Sequence, residues 1–175
     1  MKDLNKILVI GCPGSGKSTL AKRLAKRLGY PLLHLDVIYH IDNETQISKE
    51  LLESKIRTFC ESNDHFIIDG NYSSTLALRM SYADTIVFFD IDPEICLANV
   101  YKRIENNEPR DDIAPGFDNS ITDPEFIKYV QNFKTLRQPL IEKMVSSFKG
   151  TMVRLNHYDE AERFIENLPN IQAKQ

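Results

Sequence analysis

The sequence predicts a three-layer α/β/α sandwich built on a five-stranded parallel sheet. Short apolar runs alternate with amphipathic stretches along nearly the whole chain, the pattern left by parallel strands that crossover helices cover on both faces. A glycine-rich turn, Gly11-Cys12-Pro13-Gly14-Ser15-Gly16-Lys17-Ser18, joins the first apolar run to the first amphipathic stretch.

Taken in order, Ile7-Leu8-Val9-Ile10 is short and wholly apolar, which predicts a buried strand over residues 6–10. Leu20, Leu24 and Leu28 recur every fourth residue, with Lys22, Arg23, Lys26 and Arg27 between them, and Gly29 follows. That is an amphipathic helix over 17–28 with a glycine stop. Residues 31–36 read as the second strand. Ser48 is placed to cap a helix whose buried face is Leu52, Ile56, Phe59 and Cys60. Residues 65–69, holding Phe66-Ile67-Ile68, form the third strand; a helical stretch spans 73–81, and 85–90 is the fourth strand. Asp92-Pro93 and Asp123-Pro124 each pair a cap with a first-turn proline. The first starts a helix running to about 105. The second starts a long helix with Phe126, Val130, Phe133 and Leu140 on its apolar face, which Pro139 should kink or interrupt. Residues 151–155 form the fifth strand and 159–168 the last helix. The expected organisation is one domain over 1–170, with a tail at 171–175.

At 175 residues the chain is long enough for one domain with a sizeable core. Its net charge of −3 argues against a broad basic face for nucleic acid or anionic lipid. No apolar run approaches the roughly 18 residues that span a membrane, and no signal peptide is visible, so the expected location is cytoplasmic. Cys12, Cys60 and Cys96 fit neither a disulfide framework nor a zinc pattern. Cys60 and Cys96 lie on apolar helix faces and are expected in the core, whereas Cys12 lies inside the glycine-rich turn.

That turn matches G-x-x-x-x-G-K-[ST]. Its glycines let backbone N–H groups converge on a β-phosphate without an intervening Cβ, and the following helix points its positive end at the anion. Lys17 can reach β- and γ-phosphate oxygens, the Ser18 hydroxyl can ligate Mg²⁺, and Thr19 is placed for an α-phosphate contact. Gly11 to Thr19 are therefore the expected ATP site.

Asp69 ends an apolar strand, where an acid can hold the magnesium shell; Asp69-Gly70 is also a common turn. Asp36 ends the second strand, and ligands gather at the carboxyl ends of parallel strands. It can accept from an acceptor hydroxyl or act as its base, though the same place suits a helix cap or a solvated acid. Phosphoryl transfer needs cations near the equatorial oxygens, for which Arg79, Arg103 and Arg110 are the candidates, with Arg137 and Arg154 weaker. The polar stretch 106–120, with Pro115-Gly116, has the makeup of a short lid or of a solvated loop. Residues 156–158 sit where an adenine could pack.

These residues together resemble the adenylate-kinase-like branch of small P-loop kinases: Gly-x-x-Gly-Ser-Gly-Lys-Ser-Thr, then Asp-Gly after the third strand, then arginines flanking a lid with Arg110-Asp111-Asp112. Within it the chain looks most like the bacterial DNA topology modulation (FlaR-type) group, through Ile67-Ile68-Asp69-Gly70-Asn71-Tyr72, Arg79 before Ala83-Asp84, and Leu35-Asp36. The resemblance implies strand order 2-3-1-4-5, ATP with Mg²⁺, and phosphoryl transfer to a small acceptor. It departs where nucleoside monophosphate kinases carry Asp-Gly-Phe-Pro-Arg: here Asn71-Tyr72 follows Asp69-Gly70, and no arginine comes until Arg79. The expected activity is that of a kinase with Lys17, Asp36, Arg103 and Arg110 at the reaction, Asp36 and Arg79 at the acceptor, and Ser18 with Asp69 at the metal. The competing reading is a nucleotide-dependent regulatory ATPase or switch, linked to DNA topology. A monomer or homodimer is expected.

Overall fold

The computed structural model describes residues 4–106, 109–118, 120–121 and 123–169. Strand β1 (Lys6–Gly11) is followed by helix α1 (Lys17–Leu28), β2 (Leu32–His34) and the short α2 (Leu35–Tyr39). Then come α3 (Lys49–Glu61), β3 (Phe66–Asp69), α4 (Ser73–Tyr82), β4 (Thr85–Phe89) and α5 (Pro93–Asn106). The C-terminal third holds α6 (Pro124–Gln131), a π-helical turn (Phe133–Arg137), α7 (Gln138–Val145), β5 (Thr151–Leu155) and α8 (Tyr158–Glu166). The strands pair in parallel in the order β2-β3-β1-β4-β5, the predicted sheet. The predicted tail, 171–175, lies outside the described residues.

Strand β1 runs through the middle of the sheet, in register with Phe66–Asp69 on one side and Thr85–Phe89 on the other. Ile7, Leu8, Val9 and Ile10 are completely buried, as a strand covered on both faces requires. In α1 the buried side chains are Leu20, Ala21, Leu24 and Leu28, and Gly29 ends the helix at φ 70° with its N–H on the Ala25 carbonyl. Ser48 caps α3 by accepting from the Leu51 N–H at 3.2 Å, and Asp123 caps α6 by accepting from the Glu125 N–H at 2.9 Å. Cys60 and Cys96 are buried as expected. Replacing the fully buried Leu24 by Ala should cost about 2–5 kcal/mol through lost burial and a residual cavity; urea unfolding of Leu24→Ala measures it.

Two expected elements differ. The second strand stops at His34, so Leu35 and Asp36 open α2 rather than end a strand. Leu35 turns under the sheet and is completely buried, against the place where a Cβ on Gly70 would stand, at 2.9 Å. The expected long helix is cut into α6, the π turn and α7. Pro139 has no N–H for the carbonyl one turn back, and the wide turn just before it absorbs the break, with the Gln138 N–H reaching the Phe133 carbonyl. The widened turn also rotates the apolar face by one residue, so that Leu140 is 55% exposed while Ile141 is buried.

Candidate functional site

At the carboxyl end of the sheet lies a cleft of about 1090 Å³, lined by Gly14, Gly16, Lys17, Ser18 and Thr19 on one side and Asp36 on another. The loop between β1 and α1 is held in shape from several directions. Gly14 has φ +84°, and a Cβ there would stand 2.2 Å from the Cys96 carbonyl oxygen, so α5 packs directly on loop backbone. Asn99, in the next turn of α5, donates its Nδ2 to the Gly14 carbonyl at 2.9 Å and to the Tyr158 hydroxyl at 3.0 Å. Asn71 grips the start of the loop: its Oδ1 accepts from the Gly11 N–H at 3.0 Å, and its Nδ2 donates to the Gly11 carbonyl at 2.7 Å. The Ser15 N–H closes the loop on the Cys12 carbonyl at 3.1 Å. Cys12 is buried beside Cys96, and that thiol contact together with burial pushes it well above the usual thiol range.

The end of β3 builds the neighbouring wall. Asp69 is 4% exposed; its Oδ2 meets His34 Nδ1 at 2.8 Å, and its Oδ1 is buried with no partner. His34 is thus a satisfied structural histidine. Asp36, two residues past the end of β2, turns instead to Tyr72, whose hydroxyl donates to Asp36 Oδ1 at 2.6 Å. Burial, with Asp36 adding to it, pushes the Tyr72 phenol well above its ordinary value, so it remains a donor. Tyr72 sits at φ 26°, the one positive-φ residue other than glycine among those described, a conformation that costs energy and must be held by its surroundings.

Arg79 does the holding. The sequence placed it at the acceptor; the structure places it in the core, 0% exposed. Its guanidinium donates to the carbonyls of Gly70 at 2.9 Å and Tyr72 at 3.0 Å, to that of Asn71, and to Thr75 Oγ1 at 3.3 Å. Burial lowers its pKa to about 10, still far above neutrality. With its donors engaged on one loop, Arg79 braces residues 70–72 from inside the core.

Arg103 and Arg110 do line the cleft. Arg103 follows Asn99 by one turn of α5, on the side of the phosphate loop. Burial first, and the nearby Arg110 second, lower its pKa to about 10. Arg110 forks onto Asp112, Nε to Oδ1 at 3.0 Å and Nη2 to Oδ2 at 2.9 Å. Burial alone would raise Asp112, but Arg110, Lys22 and the Ser18 hydroxyl hold it well below the usual carboxylate range. Lys22 of α1 also pairs with Asp111.

Residues 109–118 thus clip onto α1 and reach across the cleft: Gly116 bridges Asp42, the Asp118 N–H donates to Asn43 Oδ1 at 2.7 Å, and Phe117 meets His40 edge-on at 5.3 Å. Of the expected lid, 107, 108 and 119 lie outside the described residues. Arg137 faces the cleft over the Tyr129 ring at 5.1 Å. Arg154 does not line it and pairs with Asp90 at 2.6 Å and Glu142 at 2.8 Å. Tyr158 lies against the loop, 3.6 Å from a Cβ on Gly16.

Sequence reasoning missed Asn71, Asn99 and Tyr72 as parts of the site. Asn71 and Tyr72 stand where the familiar Asp-Gly-Phe-Pro-Arg pattern breaks, which was the available signal. Asn99 had none.

A family model described as an AAA domain matches residues 7–114. The chain is 29% identical over 122 residues to an adenylate kinase of Borrelia duttonii, covering 56% of this chain and 57% of that protein. It is 31% identical over 100 residues to a shikimate kinase of Mycobacterium bovis, covering 49% of this chain and 56% of that one. The chain thus spans little more than half the length of these relatives. Among solved structures it is similar to a shikimate kinase from Acinetobacter baumannii in complex with shikimate, with TM-score 0.58 and 18% identity over 94% of this chain and 93% of that one. At that identity the likeness concerns the fold.

Proposed function

The chain belongs to the AAA domain family of P-loop proteins, and from that premise we propose that it is an ATP-dependent phosphotransferase acting on a small acceptor. The observation that carries this reading is one cleft lined by Lys17, Ser18, Asp36, Arg103 and Arg110. A phosphate loop alone serves any nucleotide switch. A carboxylate across the cleft from it, with arginines alongside, suits transfer to a second molecule.

In this reading the acceptor hydroxyl lies against Asp36. Its oxygen forms a bond to the γ-phosphorus while the bond from that phosphorus to the β,γ-bridging oxygen breaks. ADP leaves with the electron pair, and the hydroxyl proton passes to Asp36. Lys17, Arg103 and Arg110 stabilise charge on the phosphoryl oxygens. The residues also fit a magnesium ion: Ser18 supplies a hydroxyl at the loop, and Asp69, set behind the residues that line the cleft, keeps a buried Oδ1 without a protein partner, which a water of the cation's shell would satisfy. Held there, a magnesium ion would supply positive charge to offset that of the triphosphate. The resemblance to the FlaR-type group, a single domain with 106–120 as its lid, and a cytoplasmic location belong to the same proposal.

Lys17→Ala tests the phosphate loop. Loss of a charge-assisted contact worth about 1.5–3 kcal/mol lowers ATP–Mg²⁺ affinity about ten- to hundredfold. Calorimetry reads it, and unchanged affinity refutes the assignment.

A further inference from the structure

Resting on the phosphotransferase reading, we infer that the acceptor is a hydroxyl compound without phosphate or carboxylate groups, neutral or cationic, because the chain segment around Asp36 lines the cleft with carboxylates and no Lys or Arg.

The wall facing the phosphate loop is built by Asp36, His40, Asn43, Glu44, Gln46 and Tyr72. Two of these are carboxylates and none is Lys or Arg; the whole segment 35–46 contains neither. An acceptor carrying a phosphate would meet like charge there. Recognition of a dianionic phosphate normally uses the planar fork of an arginine.

The arginines of the site come from other segments of the chain, and of them Arg103 and Arg110 lie close enough to Asp36 to feel its charge. Arg79 bonds the carbonyls of residues 70–72 from inside the core. Arg103 shares a face of α5 with Asn99, which bonds the phosphate loop itself. Arg110 is forked on Asp112, and Arg137 stacks on the Tyr129 ring.

What the wall does offer suits a polyhydroxy or amino compound. Asp36 accepts from hydroxyl or ammonium groups, and Glu44 and Gln46 add exposed polar atoms. His40 Nδ1 is buried with no partner in the protein. Burial lowers the His40 pKa, so its ring is neutral at neutral pH and adds no cation to the wall. Tyr72, which lines the cleft and packs edge to face on Tyr39 at 4.8 Å, gives the acceptor's carbon skeleton an apolar surface.

The test has two arms on the intact chain with Mg²⁺. In the first, calorimetry compares ATP with diadenosine pentaphosphate, a probe whose second adenosine and extra phosphates reach across into an acceptor site built for a nucleoside monophosphate. The expected result is affinity no greater than that of ATP. Binding about tenfold or more tighter, about 1.4 kcal/mol, overturns the inference. In the second, ADP release is followed with matched pairs: adenosine against AMP, and sorbitol against gluconate. Acceleration confined to the uncharged members supports the inference, and acceleration by AMP or gluconate overturns it. Either contrary result leaves the phosphotransferase reading standing. Failure of ATP–Mg²⁺ itself to bind brings down that reading, and the inference with it.

Discussion

Asp36→Asn should lower acceptor-stimulated turnover by about 10²–10⁴-fold, the range removed with a general base, while leaving ATP–Mg²⁺ affinity unchanged. The substitution is nearly isosteric, and its amide oxygen can still accept from the Tyr72 hydroxyl, 2.6 Å from the native carboxylate. The shape of the acceptor wall is therefore kept, and what disappears is the capacity to take the hydroxyl proton. Calorimetry with ATP and initial rates of ADP release with a hydroxyl acceptor separate the two effects. Loss of ATP affinity instead would move Asp36 into the nucleotide half of the cleft. Unchanged turnover would leave it no role at the reaction.

The parts of this site that were legible from sequence are those fixed by neighbours in the chain. Gly11 to Ser18 could be read because the loop's chemistry is local: glycines at set spacing, a buried strand before, an amphipathic helix after. The leucines of α1 could be read for the same reason. Asp36 lines the cleft, but from α2 and not from the end of a strand. Leu32-Leu33-His34-Leu35-Asp36 has the composition of a strand. What ends the strand at His34 is the pairing of that ring with Asp69 and the burial of Leu35 beneath Gly70, both contacts with residues more than thirty positions away.

The strand order came from resemblance alone, since alternation of strands and helices gives the class and not the order. Asn99 holds the phosphate loop from a helix some eighty residues on, and no local pattern could announce it. Arg79 is the instructive miss. Its charge suggests a ligand-binding arginine, yet Thr75, Leu76 and Arg79 are the buried residues of α4, so its helical spacing marks it as inward-facing.

That inward position makes Arg79→Met the substitution with the largest expected effect on stability. Methionine matches the length and fills the space, so the loss isolates the guanidinium. Without it, the carbonyls of Gly70, Asn71 and Tyr72 lose their donor in a buried setting, and each unsatisfied buried group costs about 1–3 kcal/mol. A total of about 3 kcal/mol or more corresponds to a Tm lower by about 10 °C for a chain of this size. Arg79→Lys should recover only part of it, because a single ammonium cannot span the carbonyls of three successive residues. The damage should also reach the phosphate loop. The braced segment carries Asn71, whose side chain bonds both backbone groups of Gly11, and Tyr72, whose φ of 26° is held only by its surroundings. ATP affinity should therefore fall in Arg79→Met although Arg79 touches no ligand, and Asn71→Ala should weaken ATP binding with a smaller loss of Tm. Thermal melts and nucleotide titration of the three variants read both quantities. A full-strength Tm in Arg79→Met together with a lost acceptor response would return Arg79 to the acceptor site and refute the brace.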